Sequence, residues 1–97
     1  MDTLDNIKNI LNEHREEIRE RFYVKEIGIF GSYVRGEQKD LSDIDILVDY
    51  EEAPGLFEFV RLKNYLSDLL GLRVDLVMKT ALKPTIGKHI LKEVVVV

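Results

Sequence analysis

Two short apolar segments that each contain an aspartate constrain the fold of this chain more than any other feature. The predicted strands are residues 43–50 and 73–78, and within them residues 44–48 and 73–77 are rich in isoleucine, leucine and valine, a composition that is typical of strands. Strand side chains alternate between two faces, so Asp43 and Asp45 are expected on one face and the apolar residues on the other. If the second strand lies beside the first, Asp75 joins them and three carboxylates meet at one rim of the sheet.

Carboxylates gathered in this way repel one another unless a cation lies between them. Mg²⁺ is a hard cation that prefers carboxylate oxygens together with the phosphates of a substrate. Two such ions about 3.5–4 Å apart can activate an attacking oxygen and neutralise a leaving group. We therefore interpret Asp43, Asp45 and Asp75 as catalytic residues and as ligands of two Mg²⁺ ions.

A glycine and a serine between a strand and a short helix predict an anion-binding turn. Residues 26–30 have strand composition, Gly31 interrupts the strand, and Ser32 is expected to be the N-cap of a short helix that ends at Gly36. Such a junction directs backbone N–H groups and the positive end of a helix toward an anion. Gly31 lets a phosphate approach the backbone closely, and the Ser32 hydroxyl can donate a hydrogen bond to it.

Three side chains near these motifs have two interpretations each. A phosphate-holding turn beside metal-binding carboxylates suits transfer of a nucleotidyl group from a nucleoside triphosphate. Arg35 is therefore assigned to the nucleotide-binding residues, although it could instead pair with Glu37 or Asp40. Tyr33 either packs in the core or lines a pocket for the base, and His89 lies either on a helix surface or at the nucleotide. A purely structural alternative also exists, in which the carboxylates are solvated strand residues and the turn is an ordinary helix start.

The remaining pattern predicts helices packed on a small mixed sheet, which is an α/β fold. Apolar residues recur at helical spacing over residues 3–22 and 56–70. Pro84 suits the first turn of a final helix that ends near Glu93. Four valines at residues 94–97 form either a short strand on the sheet edge or a contact with a partner.

The three motifs together resemble those of the minimal nucleotidyltransferases, which belong to the DNA polymerase β-like superfamily. Gly-Ser-x-x-Arg-Gly at residues 31–36 is followed by Ser-Asp-x-Asp at residues 42–45 and by Val-Asp-Leu-Val at residues 74–77, in the family's order. The resemblance implies a nucleotidyltransferase core in which Gly31 and Ser32 hold the triphosphate.

The resemblance also implies a reaction and a partner. Asp43 and Asp45 would bind both metal ions, while Asp75 would complete one metal site and help to deprotonate the acceptor. Family members are commonly encoded with a helical HEPN-type protein as a toxin–antitoxin pair. In such pairs the nucleotidyltransferase is the antitoxin and can transfer AMP to a tyrosine of the toxin. The expected reaction is therefore transfer of AMP from ATP to an acceptor hydroxyl.

Size, charge and composition limit the domain organisation, the ligands and the cellular location that we expect. A chain of 97 residues is expected to form a single nucleotidyltransferase domain, residues 1–97, with no room for an acceptor-recognition domain. The net charge of −4 argues against direct binding of nucleic acid, which depends on neutralising phosphates. The chain has no cysteine, no basic signal-peptide region and no apolar run of membrane-spanning length. We expect a cytoplasmic protein that does not contact a membrane.

Two other functions compete with this interpretation. The first is a non-catalytic antitoxin that neutralises its partner by binding alone, which the small size of the chain favours. The second is an enzyme that modifies a small molecule, which is weaker because the chain offers little substrate pocket. The complete set of carboxylates favours the nucleotidyltransferase.

Overall fold

Four strands form one mixed sheet in the computed structural model, which describes residues 3–39 and 42–97. In chain order the strands are β1 (Val24–Phe30), β2 (Ile44–Tyr50), β3 (Val74–Met78) and β4 (Val95–Val96). Across the sheet they lie in the order β3-β2-β1-β4. β1 is antiparallel to both of its neighbours, whereas β2 and β3 are parallel. The predicted α/β fold with a small mixed sheet is confirmed.

Helices connect these strands. They are α1 (Thr3–Glu13), α2 (Arg15–Phe22), α3 (Ser32–Arg35), α4 (Leu56–Leu70) and α5 (Pro84–Glu93), with a 3-10 turn at Lys79–Ala81. The predicted bounds of α4 and α5 are confirmed. Within the described residues, no helix combines the length and the apolar character that a membrane span requires.

The single helix predicted for residues 3–22 is wrong, because two helices meet at His14. The backbone of His14 has φ −104° and ψ 10°, outside the helical region. Its Nδ1 atom donates a hydrogen bond to the Ile10 carbonyl at 2.9 Å. A side chain that binds the carbonyl one turn back competes with the hydrogen bonds of a continuous helix. The apolar stripe nevertheless continues across the break, and its buried members are Ile7, Leu11, Ile18 and Phe22.

The strands begin at slightly different residues from those predicted. β1 starts two residues before residue 26, the predicted start, while β2 starts at Ile44 and β3 at Val74, each one residue later than predicted. Asp43 therefore lies just outside β2. Strand alternation does not set the direction of its side chain, which matters for the site described below.

The core explains why Asp45 is available for chemistry. Helices α1, α2 and α4 pack with the sheet around a cluster that includes Ile44, Ile46 and Val48 of β2, each fully buried. Asp45 alternates with these residues, so its side chain lies on the face of β2 opposite the core. The predicted orientation of this strand is confirmed.

The four C-terminal valines complete the sheet. β4 pairs with β1 through Gly28 opposite Val96, and the Val97 N–H donates a hydrogen bond to the Ile27 carbonyl at 2.9 Å. Gly28 is needed here because a Cβ at this position would lie 2.6 Å from Val94 Cγ2. Of the two predicted roles for residues 94–97, the edge strand is confirmed, and it places the end of α5 beside the end of β1.

Candidate active site

Two of the three predicted carboxylates are neighbours in the sheet. Asp45 of β2 is in register with Asp75 of β3, and the Ile44 N–H donates a hydrogen bond to the Arg73 carbonyl at 2.9 Å, just before this pair. Parallel pairing in this register places both side chains on the same face. The predicted adjacency of the two strands is confirmed, and it brings Asp45 and Asp75 together.

The environment of this pair favours the protonated form of one member. Burial, then the charge of Asp75, a hydrogen bond with Asp75 and the charge of Asp43 raise the pKa of Asp45 from 3.8 to about 6. Arg35 opposes this shift with its positive charge. Acidic groups are crowded here without sufficient compensating positive charge, which is the arrangement expected where a cation binds.

Asp43 is close to the pair but is held by another residue. The Nε of Arg73 donates a hydrogen bond to Asp43 Oδ1 at 2.9 Å, and both side chains are exposed to solvent. Among residues 3–39 and 42–97, no three acidic or histidine side chains form a ready-made metal site. The structure thus brings Asp45 and Asp75 together, whereas Asp43 is paired with Arg73.

The predicted turn lies directly against these carboxylates. Gly31 has φ +79° and ψ −152°, a conformation that is essentially restricted to glycine. A Cβ at Gly31 would overlap the carboxylate of Asp45, so the absence of a side chain is what allows the two to meet. A group held by the turn would therefore also contact the carboxylates.

The details of the turn correct one prediction. Gly31, not Ser32, occupies the N-cap position, and no side chain caps α3. Ser32 is instead the first residue of a helix only four residues long. A helix this short contributes only a small dipole. The groups that attract an anion to this turn are therefore mainly the Gly31 N–H and the Arg35 guanidinium.

Sequence reasoning missed Glu93, the last residue of α5. The Gly31 N–H donates a hydrogen bond to Glu93 Oε2 at 2.9 Å, and Arg35 Nη1 donates one to Glu93 Oε1 at 2.6 Å. Burial alone would raise the pKa of Glu93, but these hydrogen bonds and the charge of Arg35 outweigh it and lower the pKa. No local pattern could have revealed this contact, because 62 positions separate Glu93 from Gly31.

Arg35 and Tyr33 each had two interpretations, and the structure shows the contacts that both side chains make. Arg35 Nε donates a hydrogen bond to Glu37 Oε1 at 3.0 Å, so the predicted pairing with Glu37 is confirmed, while Asp40 lies outside the described residues. Tyr33 is buried in the core, as predicted, and its hydroxyl donates a hydrogen bond to the Ser42 carbonyl at 3.3 Å. This bond ties α3 to the segment that leads into β2.

An open cleft beside the turn extends under α5 and has a volume of about 470 Å³. The residues that line this α5 cleft are Phe30, Gly31, Arg35, Asp45, Ile86, His89, Ile90 and Glu93. His89 is therefore at the edge of the site, on the same helix as Glu93. The cleft combines an apolar wall with Arg35, His89 and the carboxylates of Asp45 and Glu93.

Comparison with known sequences identifies the family of this chain. The family profile described as the nucleotidyltransferase domain matches residues 11–97. The chain is 62% identical over 95 residues to the protein adenylyltransferase MntA of Thermococcus cleftensis, covering 98% of this chain and 96% of that protein. It is 50% identical over 98 residues to a provisionally named protein adenylyltransferase of Methanocaldococcus jannaschii, with 100% of both chains covered.

Solved structures share the fold. One, provisionally described as a minimal nucleotidyltransferase, has a TM-score of 0.78 and 35% identity, and the match covers 98% of this chain and 95% of that one. A second, a crystal structure of a toxin–antitoxin with AMP-PNP, has a TM-score of 0.74 and 26% identity, and the match covers 94% of this chain and 71% of that one.

Proposed function

The chain belongs to the nucleotidyltransferase domain family, among the minimal nucleotidyltransferases, and from this premise we propose that it is a protein adenylyltransferase. It would transfer AMP from ATP to a hydroxyl of a partner protein, with residues 1–97 acting as one catalytic domain. The observation that carries this proposal is the direct contact of the Gly31 turn with Asp45, which is itself paired with Asp75. A phosphate chain held at the turn would place its α-phosphate at the carboxylates.

Each residue of the site has a role in this reaction. The Gly31 N–H, the Ser32 hydroxyl and Arg35 would hold the triphosphate. Asp75 is more exposed than Asp45 and would help to take the proton from the acceptor hydroxyl as its oxygen attacks the α-phosphate. The bond between the α- and β-phosphates breaks, pyrophosphate leaves, and the acceptor oxygen becomes esterified to AMP. Positioning of the reacting groups supplies much of the rate enhancement in such a displacement.

The acidic residues fit Mg²⁺, because their donor atoms are all carboxylate oxygens and the raised pKa of Asp45 reflects uncompensated negative charge. Asp45 and Asp75 would hold the metal, with Asp43 joining them once it leaves Arg73, and we propose two ions. Bound Mg²⁺ would neutralise phosphate charge and make the acceptor hydroxyl more acidic.

The partner that we propose is a helical HEPN-type toxin, with a tyrosine hydroxyl as the acceptor. Two findings support a protein acceptor: one close relative is named a protein adenylyltransferase, and one similar structure is a toxin–antitoxin. AMP attached near an RNA-binding surface would add negative charge there and repel RNA, by the same physics as phosphorylation. The chain would thereby act as an antitoxin.

Intact-mass spectrometry of the partner tests this function. The purified partner is incubated with Mg²⁺, ATP and the chain, and we expect its mass to increase by one or more AMP groups as its RNA cleavage is lost. The triple variant Asp43→Asn, Asp45→Asn, Asp75→Asn should produce no increase. If the triple variant still inhibits the partner and no mass change occurs with either protein, the chain is a binding antitoxin instead.

A further inference from the structure

The Glu93 carboxylate lies where the proposed function requires phosphate oxygens. Its Oε2 accepts the Gly31 N–H at 2.9 Å and its Oε1 accepts Arg35 Nη1 at 2.6 Å. These two donors are also the ones assigned to the triphosphate. A carboxylate and a phosphate accept hydrogen bonds from the same kind of donor, because both present negatively charged oxygens to N–H groups. The chain therefore carries an internal anion on its own nucleotide-binding turn.

The two ligands cannot share these donors fully. A backbone N–H is a single donor, so a phosphate oxygen at Gly31 must replace Glu93 Oε2. Glu93 and a triphosphate are also both anionic, and they would repel each other across a partly buried site in which the Glu93 side chain is 21% exposed. Nucleotide binding thus requires Glu93 to leave the turn.

The fold positions Glu93 at the turn through the residues that follow it. α5 ends at Glu93, Val94 packs against Gly28 of β1, and β4 then pairs with β1. These contacts hold the backbone at the end of α5 beside the end of β1. The Glu93 side chain already lines the open α5 cleft, so it can leave the turn by rotating about its own bonds while these backbone contacts stay in place.

We propose that Glu93 sets the affinity of the site for nucleotide by competing with the triphosphate for Gly31 and Arg35. This inference rests on the proposed function, since it takes the turn to be the triphosphate site. Glu93 lowers the affinity for every ligand that places phosphate oxygens on the turn, and its return to the turn promotes release of pyrophosphate. Ligands without phosphate are not affected.

Calorimetric titration with a non-hydrolysable ATP analogue and Mg²⁺ tests the competition. Glu93→Gln keeps the size of the side chain but removes its charge, and we expect the variant to bind the analogue about tenfold more tightly than the wild type, the size of effect associated with one charged hydrogen bond. Glu93→Asp keeps the charge on a shorter side chain and should give a smaller gain. In an Arg35→Ala background, the effect of Glu93→Gln should shrink, because one of the contested donors is absent.

A purely structural role predicts a different result. If Glu93 only links α5 to the turn, Glu93→Gln and Glu93→Asp lower the melting temperature and leave the affinity unchanged or reduced, which overturns the competition. If the wild type binds the analogue and the variants bind it equally well, this inference fails while the proposed function stands. If neither the wild type nor any variant binds the analogue, both fail.

Discussion

At the scale of single residues, Gly31 combines two requirements in one position. Its backbone has a conformation that is essentially restricted to glycine, and the Asp45 carboxylate occupies the space that a side chain would fill. The first requirement shapes the turn, and the second brings the turn and the Asp45 carboxylate into contact. Any side chain at Gly31 would separate them.

Gly31→Ala should therefore damage both stability and nucleotide binding. We expect a loss of more than about 2 kcal/mol in the free energy of unfolding, since steric overlap adds to the roughly 1–2 kcal/mol cost of a left-handed backbone. Urea unfolding measures the loss, and calorimetry with the ATP analogue measures binding.

Gly36→Ala is the control for a positive φ without a steric overlap. Gly36 also has a positive φ, +73°, but an added Cβ there would meet no atom within 4 Å. The control should lose only about 1 kcal/mol and should keep its affinity for nucleotide. Equal losses in the two variants would show that the contact with Asp45 is unimportant.

At the scale of elements, the site depends on how α5 and β4 approach β1. Only the missing side chain of Gly28 allows Val94 and β4 to lie so close to the strand. β4 is only two residues long, so its pairing adds few hydrogen bonds, and packing at this crossing stabilises the arrangement. The same crossing places Glu93 at the turn.

Gly28→Val should loosen this crossing. The new Cβ would lie 2.6 Å from Val94 Cγ2 and 3.2 Å from the Val95 carbonyl oxygen, so the Val94 side chain and the backbone of β4 must shift away from β1. We expect a loss of about 1–3 kcal/mol in the free energy of unfolding, as for other overpacked sites. Amide hydrogen exchange should accelerate at Val97, whose N–H is bound to the Ile27 carbonyl.

Gly55→Ala provides the comparison, because Gly55 has an ordinary φ of −76° and open space around it. Gly55 is the N-cap of α4, so its replacement by alanine should lower stability slightly, while the exchange rate at Val97 should match that of the wild type. Unchanged exchange at Val97 in Gly28→Val as well would show that β4 does not depend on this close approach.

At the scale of the whole molecule, the crowded carboxylates of the proposed site lower the stability of the metal-free fold. The pKa of Asp45 is about 6 in the folded chain, because of burial and the neighbouring Asp75 and Asp43, against an ordinary value of 3.8. The folded state thus binds this proton more tightly than the unfolded state. The ionised form of Asp45 costs stability above pH 6, and that cost disappears as the pH falls from about 6 toward 4.

Asp45→Asn should therefore melt at a higher temperature than the wild type at pH 7 in the presence of a chelator. The difference should narrow as the pH falls toward 4, where the wild-type side chain is itself neutral. Thermal melting followed by circular dichroism measures both effects. Asp49→Asn, on the same strand, serves as the control and should show no comparable gain. A variant that is less stable than the wild type at pH 7 would contradict the assigned environment of Asp45.

Much of this site could be predicted from the sequence, because the residues that form each part of it are close together in the chain. Alternation within residues 44–48 sets the face of Asp45, and the glycine at position 31 marks the turn. The break at His14 was missed because a side-chain hydrogen bond, not the apolar pattern, interrupts the helix. The N-cap was misassigned to Ser32 by one position, which is within the uncertainty of helix ends.

The amino-acid sequence alone determined the strands, the turn and the order of the carboxylates, because backbone preference and side-chain alternation act over a few neighbouring residues. Only the tertiary structure decided which charged groups meet. Arg73 reaches Asp43 across 30 positions, and Glu93 reaches Gly31 across 62. Such pairs depend on strand register and on the path of α5, which arise from packing of the whole chain, so no local pattern records them.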